Sequence, residues 1–306
     1  MPCFYPVPAY RSLVRSPSGK YPLLFKQGPN SGDMVEVPCG GCIGCRIERS
    51  QAWAVRLMHE AQMHQENAFL TLTYSPEHLP RDNSLRKEHF QKFMKRYRKY
   101  IQPIKIRFFH CGEYGDENHR PHYHAIIFGH DFKDKVHHAK TKTGHWLYTS
   151  ETLNNLWGFG YCYIGSVTPH SAGYVSRYIM KKITGERAKE HYRALDPETG
   201  EIHEIQPEYI TMSRRPGIGQ TWLNQFGDTD VFSEDFVPLP NGKTAKTPPY
   251  YLKQLEKNDL KRFKAIKRNR ARKAKEYKAS GEASFDRVQA KHQCAHARSL
   301  NLKREI

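Results

Sequence analysis

The sequence predicts an α+β fold: a ferredoxin-like split βαβ unit, with a central antiparallel sheet and helices packed on it. Two observations carry this. Strand-like and helix-like patterns alternate in the order β-α-β-β-α-β between residues 69 and 167, and a further helix follows. The second and third strands are separated only by a polar turn, which makes them a hairpin. A Cys-rich N-terminal segment, 1–46, precedes this 47–235 domain. A linker and basic C-terminal extension, 236–306, follows and is read as helical or partly disordered.

The elements follow from local pattern. Residues 1 to about 45 are rich in Pro, Gly and Cys, with little periodicity. A helix is expected from Ile47 to Gln65, with Ala54, Leu57, Met58 and Ala61 on one stripe. Phe69-Leu70-Thr71-Leu72-Thr73-Tyr74 is a β-rich run closed by Ser75-Pro76. Asn83 or Ser84 is the expected cap of a helix carrying Phe90, Phe93, Met94 and Tyr97. Its other face is basic, with Lys92, Lys95, Arg96, Arg98 and Lys99. Ile104–Cys111 and His122–Phe128 make the hairpin around the turn 112–120. Residues 131–148 read as a polar loop rich in His and Lys. Ser150 caps a short helix with Leu153, Leu156 and Trp157, and Gly158 ends it. Tyr161–Val167 is the last strand. Thr168 caps the following helix and Pro169 opens it.

Composition narrows the function classes. The chain has 306 residues, a net charge of +18 and a hydrophobic fraction of 38%. That balance favours a polyanionic partner, nucleic acid first and an anionic membrane surface second. No apolar run is long enough for a transmembrane helix, and the N-terminus lacks a secretory pattern, so a cytosolic protein is expected. Seven cysteines are an odd number, and a disulfide scaffold is not expected in so large a reducing-compartment chain. Residues 251–306 carry 17 Lys and Arg against six acids, with Lys264, Lys267 and Arg268 among them. The plain reading is a solvated face; the functional one is a grip on the DNA backbone through counterion release.

The chemistry-bearing stretch is Pro121-His122-Tyr123-His124. Side chains alternate along a strand, so His122 and His124 share a face. A hard divalent cation serving phosphate chemistry takes imidazole and oxygen ligands and keeps positions open. Glu113 is the best third ligand, because its parity matches Phe109 and Cys111 on the hairpinned strand. His110, His119 and Asp116 are rivals. Tyr174 and Tyr178 stand at i and i+4 on a helix, with Lys181 on the same stripe and Lys182 about 80° round. The stripe of Ala172, Val175 and Ile179 is rotated away, which would let the tyrosines face a cleft. The bland alternative is two packing tyrosines.

Cys39, Cys42 and Cys45 sit in a Gly-rich loop. They supply three of the four ligands of a closed structural zinc site, with Cys3 or a histidine such as His59 as the fourth. An iron–sulfur cluster and a loop of reduced thiols are the alternatives. Arg214, Arg215 and the Pro216-Gly217 turn are placed to approach a substrate strand, although Gly217 and Gly219 serve a turn equally well.

Phe69-Leu70-Thr71-Leu72-Thr73-Tyr74, Pro121-His122-Tyr123-His124 and Tyr174-Val175-Ser176-Arg177-Tyr178 follow the order of the three motifs of the His-hydrophobic-His endonucleases. The two-tyrosine form resembles the rolling-circle replication initiators of the microviruses. Cys39-Gly40-Gly41-Cys42-Ile43-Gly44-Cys45-Arg46 and Ser213-Arg214-Arg215-Pro216-Gly217-Ile218-Gly219 resemble the gokushovirus branch. The resemblance spans residues 35 to 225. It implies a nickase and strand transferase that forms a 5′-phosphotyrosine at the phage origin and rejoins the displaced circle. It also implies Mg²⁺ or Mn²⁺ as cofactor, catalytic Tyr174, Tyr178 and Lys181, and DNA contacts from Arg177 and Lys182. Single-stranded and origin DNA and the host replication machinery would be the partners, in the cytoplasm of a bacterial host, without a membrane or a small-molecule substrate. The rival readings are a non-catalytic DNA-packaging or regulatory protein and a transposase or relaxase.

Overall fold

A computed structural model of the chain describes residues 3–17, 19–115, 118–141, 144–178, 186–195 and 199–300. By proximity these form two compact units. Among the described residues, one contains those up to Arg49 together with Lys264 to Leu300; the other runs from Ser50 to Phe263.

In the first unit, strands β1 (Val7–Ser12), β2 (Leu23–Leu24) and β3 (Ser31–Val37) form a small antiparallel sheet in the order β2-β1-β3. Helix α1 (Ile43–Gln62) begins in this unit and ends in the other. The second unit continues with β4 (Asn67–Leu72), α2 (Lys87–Tyr100), β5 (Arg107–Tyr114), β6 (Pro121–Phe128), β7 (Val136–Lys140), β8 (Trp146–Thr149), α3 (Glu151–Trp157), β9 (Cys162–Gly165) and α4 (Pro169–Arg177). After these come α5 (Glu186–His191), β10 (Arg193–Leu195), β11 (Ile202–Glu204), β12 (Tyr209–Met212), α6 (Gln220–Asp230), β13 (Phe236–Pro238), β14 (Thr244–Lys246) and α7 (Pro249–Asn258). Helices α8 (Leu260–Ala279) and α9 (Phe285–Leu300) close the chain. No described helix is long and apolar enough to cross a membrane.

Seven strands form the central sheet, in the order β12-β5-β6-β4-β9-β8-β7, every neighbour antiparallel. Its inner four, β5-β6-β4-β9, are the expected split βαβ arrangement, with β12 and the β7–β8 hairpin added at the edges. Alternation sorts the strand residues into two cores. Ala68, Leu70, Leu72, Tyr123, Ala125 and Ile127 meet Phe90, Phe93, Met94 and Tyr97 of α2 and Leu153 and Trp157 of α3. Phe69, Phe109, Ile126 and Phe128 meet Leu57 and Ala61 of α1 and Ala172 and Val175 of α4. Both faces are covered, which is why Ala125–Phe128 reads as an unbroken apolar run. Burying each of these large side chains stabilises the fold by about 1.5–3 kcal/mol.

Several expectations need correction. Helix α1 starts at Ile43 and ends at Gln62, earlier than the apolar stripe implied. Neither Asn83 nor Ser84 caps α2. Arg86 occupies that position without a side-chain cap, while the Ser84 hydroxyl instead accepts the Gln206 N–H. The segment 131–148 is not a plain loop but contains the β7–β8 hairpin. Every residue of β7 is exposed, so no burial alternation marks it in the sequence. The caps of α3 and α4 form as expected: Ser150 accepts from the Leu153 N–H, and Thr168 exchanges bonds with Ser171 in a capping box.

Candidate active site and a cysteine cluster

The hairpin register places Glu113 directly opposite His122 and Cys111 opposite His124. Glu113, His122 and His124 therefore share one sheet face, as parity predicted. Both imidazoles aim Nε2 at the same carboxylate oxygen: His122 lies 2.7 Å and His124 3.0 Å from Glu113 Oε1. The other ring nitrogens are also engaged. His122 Nδ1 lies 3.1 Å from the Arg120 carbonyl, and His124 Nδ1 lies 3.1 Å from the Thr71 hydroxyl. A carbonyl only accepts, so His122 Nδ1 donates to Arg120 and Nε2 is the nitrogen that faces the carboxylate. A ring nitrogen and a carboxylate oxygen this close have a proton or a cation between them. The donor set of one carboxylate and two oriented imidazoles fits a divalent ion, and the Arg120 and Thr71 contacts are the outer support such ligands require.

Electrostatics agree. Burial alone would raise the Glu113 carboxyl, but its contacts with His122 and His124 bring it down to about 2. It stays ionised although only 1% exposed.

Helix α4 lies against this face. Its capping box and Pro169 fix the start, and Ala172 and Val175 anchor it in the core. Tyr178 stacks on His124 with ring centres 5.5 Å apart; Tyr174 meets the same ring edge-on at 5.1 Å. The two tyrosine rings meet edge to face, 4.8 Å apart. Both residues are themselves buried, so they are tucked against the histidines rather than held out to an open cleft. Burial, and then the Glu113 charge, push both hydroxyls well above the usual phenol range. The Arg177 guanidinium sits 5.5 Å over the Tyr174 ring.

Other expected residues are distributed as follows. Lys181, Lys182, Ile179 and Asp116 lie outside the described residues. His110 points to the opposite face, fully buried, stacked on Phe90 at 3.3 Å and bonded to the Thr211 hydroxyl, so it is no rival ligand. His119 is exposed in the turn. Arg214 and Arg215 are exposed after β12. The loop behind them is clamped: the buried Glu60 carboxylate accepts the Gly219 N–H and pairs with Arg107. A Cβ on Gly217 would stand 2.3 Å from the Tyr250 hydroxyl, and one on Gly219 2.5 Å from that of Tyr251. Close approach thus accounts for both glycines. Thr71 is the site residue that sequence reasoning passed over. Its signal was a polar residue of the same parity as Phe69 on a buried strand.

In the other unit, the sulfurs of Cys3, Cys39, Cys42 and Cys45 lie within 4.8 Å of one another. Cys3, not His59, joins the three clustered cysteines. His59 is buried, stacked on Trp222 at 3.4 Å, with its Nδ1 2.9 Å from the Tyr251 hydroxyl. Burial would raise the Cys42 thiol, but the N–H groups of Cys45 and Phe4 pull it down to about 6. Lys264, Lys267 and Arg268 are exposed on α8 in this unit.

Comparison with known proteins identifies the family. Residues 67–183 match the family model "Replication-associated protein ORF2/G2P", a span holding all three motifs. The chain is 36% identical over 228 residues to "Replication-associated protein VP4" of Bdellovibrio phage phiMH2K, covering 72% of this chain and 68% of that one. It is 34% identical over 233 residues to "Replication-associated protein ORF2" of Spiroplasma virus 4, with the same coverage of 72% and 68%. It is 39% identical over 153 residues to "Replication-associated protein ORF4" of Chlamydia phage 1, covering 48% of this chain and 38% of that one. No solved structure matches. The motif order, the fold that carries it and these similarities converge: the chain belongs to the replication-associated protein ORF2/G2P family, among the microvirus rolling-circle initiators.

Proposed function

We propose that this protein starts phage genome replication by nicking one strand of origin DNA with a tyrosine, and later rejoins the displaced circle. One observation carries the reading: Glu113, His122 and His124 converge on one point, with two tyrosines packed on His124. Residues 47–235 would form the endonuclease domain. Glu113, His122 and His124 would hold Mg²⁺ or Mn²⁺, which supplies polarisation of the scissile phosphate. A tyrosine oxygen attacks phosphorus; a tyrosine–phosphate bond forms and the bond to the 3′-oxygen breaks. The phenolic proton passes to solvent water, and the departing 3′-oxygen takes one up from water to become the hydroxyl that host polymerase extends. Arg177 and Lys181 would offset the charge that develops on the phosphate. After one circuit the second tyrosine cleaves the regenerated origin. The freed 3′-hydroxyl then attacks the first phosphotyrosine and closes the circle. Two tyrosines in ring contact suit this alternation. The exposed Lys264, Lys267 and Arg268, with Arg214 and Arg215, would hold the backbone without reading sequence.

The test is incubation of the full chain with labelled single-stranded phage origin DNA and Mn²⁺, followed by a denaturing gel. A covalent adduct is expected, and Tyr174→Phe with Tyr178→Phe should abolish it. An adduct persisting in the double variant would overturn the mechanism. Salt-dependent binding without nicking under any divalent ion would return the protein to the packaging or regulatory reading.

A further inference from the structure

We propose that Cys3, Cys39, Cys42 and Cys45 form a closed structural zinc site that ties the N-terminal segment to the first turn of α1. The spacing is the first argument. With zinc–sulfur bonds of about 2.3 Å, the sulfurs of a tetrahedral site stand about 3.8 Å apart. Cys3 and Cys42 sulfurs are 3.8 Å apart, and all four lie within 4.8 Å of one another. Cys39-x-x-Cys42-x-x-Cys45 with one distant cysteine also matches the spacing of a four-iron cluster. In such a cluster each cysteine binds a different corner of a cube, which spreads the sulfurs well beyond a single tetrahedron. The observed packing has room for one ion.

The backbone around the sulfurs is the second argument. Cys39 N–H points at Cys3 Sγ at 3.2 Å, Cys42 N–H at Cys39 Sγ at 3.3 Å, and Phe4 N–H at Cys42 Sγ at 3.5 Å. A neutral thiol is a poor acceptor; a metal-bound thiolate is a good one. Gly40 has φ +74°, the left-handed conformation that lets the loop double back between Cys39 and Cys42.

The helix is the third. Helix α1 has no acidic residue in its first turn. The Cys42 carbonyl receives the Arg46 N–H, so Cys42 stands at the N-cap of α1. Four thiolates and one Zn²⁺ leave a net negative charge. The positive end of the helix, with Arg46 and Arg49 close in sequence, compensates it. All-sulfur donors select zinc over the hard ions suited to Glu113, His122 and His124.

The experiment uses the full chain, purified without added zinc and desalted. Metal analysis should find about one zinc per chain, unchanged when Glu113, His122 and His124 are all replaced by Ala. Exchange with cobalt should give the visible bands of a tetrahedral tetrathiolate ion. Cys42→Ser should lose the zinc. Should that variant fail to fold, alkylation of the native protein decides: the exposed Cys294 reacts at once, whereas Cys3, Cys39, Cys42 and Cys45 react only after chelation. Substoichiometric zinc, iron in its place, or four cysteines alkylated as fast as Cys294 would each overturn the assignment.

Discussion

The two ligand clusters of this chain are built on opposite principles. Glu113, His122 and His124 stand on a rigid hairpin at the centre of a sheet, offer nitrogen and oxygen, and have two tyrosines beside them. Cys3, Cys39, Cys42 and Cys45 stand on loops and a helix start, offer only sulfur, and are fed by backbone N–H groups. The first brings together three ligand-bearing groups, fewer than a divalent ion coordinates; the second brings together four, the full set of a tetrahedral ion. Chemistry needs the open kind and folding the closed kind.

The sharpest way to break this contrast is to cross the two sites. His122→Ala removes a direct ligand and should lower divalent-dependent nicking by about 100-fold or more, since even the loss of an outer partner costs 10–100-fold. It should leave the zinc content intact. Nicking that survives His122→Ala, or zinc lost with it, would dissolve the distinction. A smaller effect comes from the outer support. Thr71→Val keeps the shape but removes the hydroxyl facing His124 Nδ1. Metal affinity measured by titrating Mn²⁺ into the nicking assay should weaken about 10–100-fold, with little change in thermal stability. An unaltered Mn²⁺ requirement would show that the sheet alone orients His124.

His59 supplies the third contrast, a buried histidine that joins neither cluster. Burial lowers its pKa to about 4. The unfolded chain therefore takes up this proton near pH 6.5, where the folded chain does not. Stability from this group is fully present above pH 6.5, falls as pH drops toward 4, and levels below that. The loss is on the order of 3 kcal/mol at most. Denaturant midpoints between pH 7 and 4.5 should converge on a flatter profile in His59→Gln. Parallel profiles for the variant and the parent would refute this role.

Much of the site was readable before any coordinates. His122 and His124 had to share a face because strands alternate, and Glu113 was found by the same parity across the hairpin. Tyr174 and Tyr178 were paired by helical spacing. The β7–β8 hairpin was not readable, because its strands are polar and exposed and carry no burial pattern. The cap of α2 was misread because Asn83 and Ser84 are good cap residues on local grounds. Ser84 is instead engaged by Gln206, 122 residues away. The burial of both tyrosines was hidden too, since spacing says which residues share a face but not what covers it.

By itself the sequence determined the alternation of strands and helices, the parity of the ligands and the surplus of positive charge. These are local properties, set by periodicities of two and 3.6 residues and by composition. Only the tertiary structure decided the long-range matters. It chose Cys3 rather than His59 as the fourth member of the cysteine cluster, turned His110 away from the face that carries Glu113, His122 and His124, and pressed Gly217 and Gly219 against Tyr250 and Tyr251. Each choice depends on which distant segments pack together, and that is settled by burial across the whole core, not by neighbours in sequence.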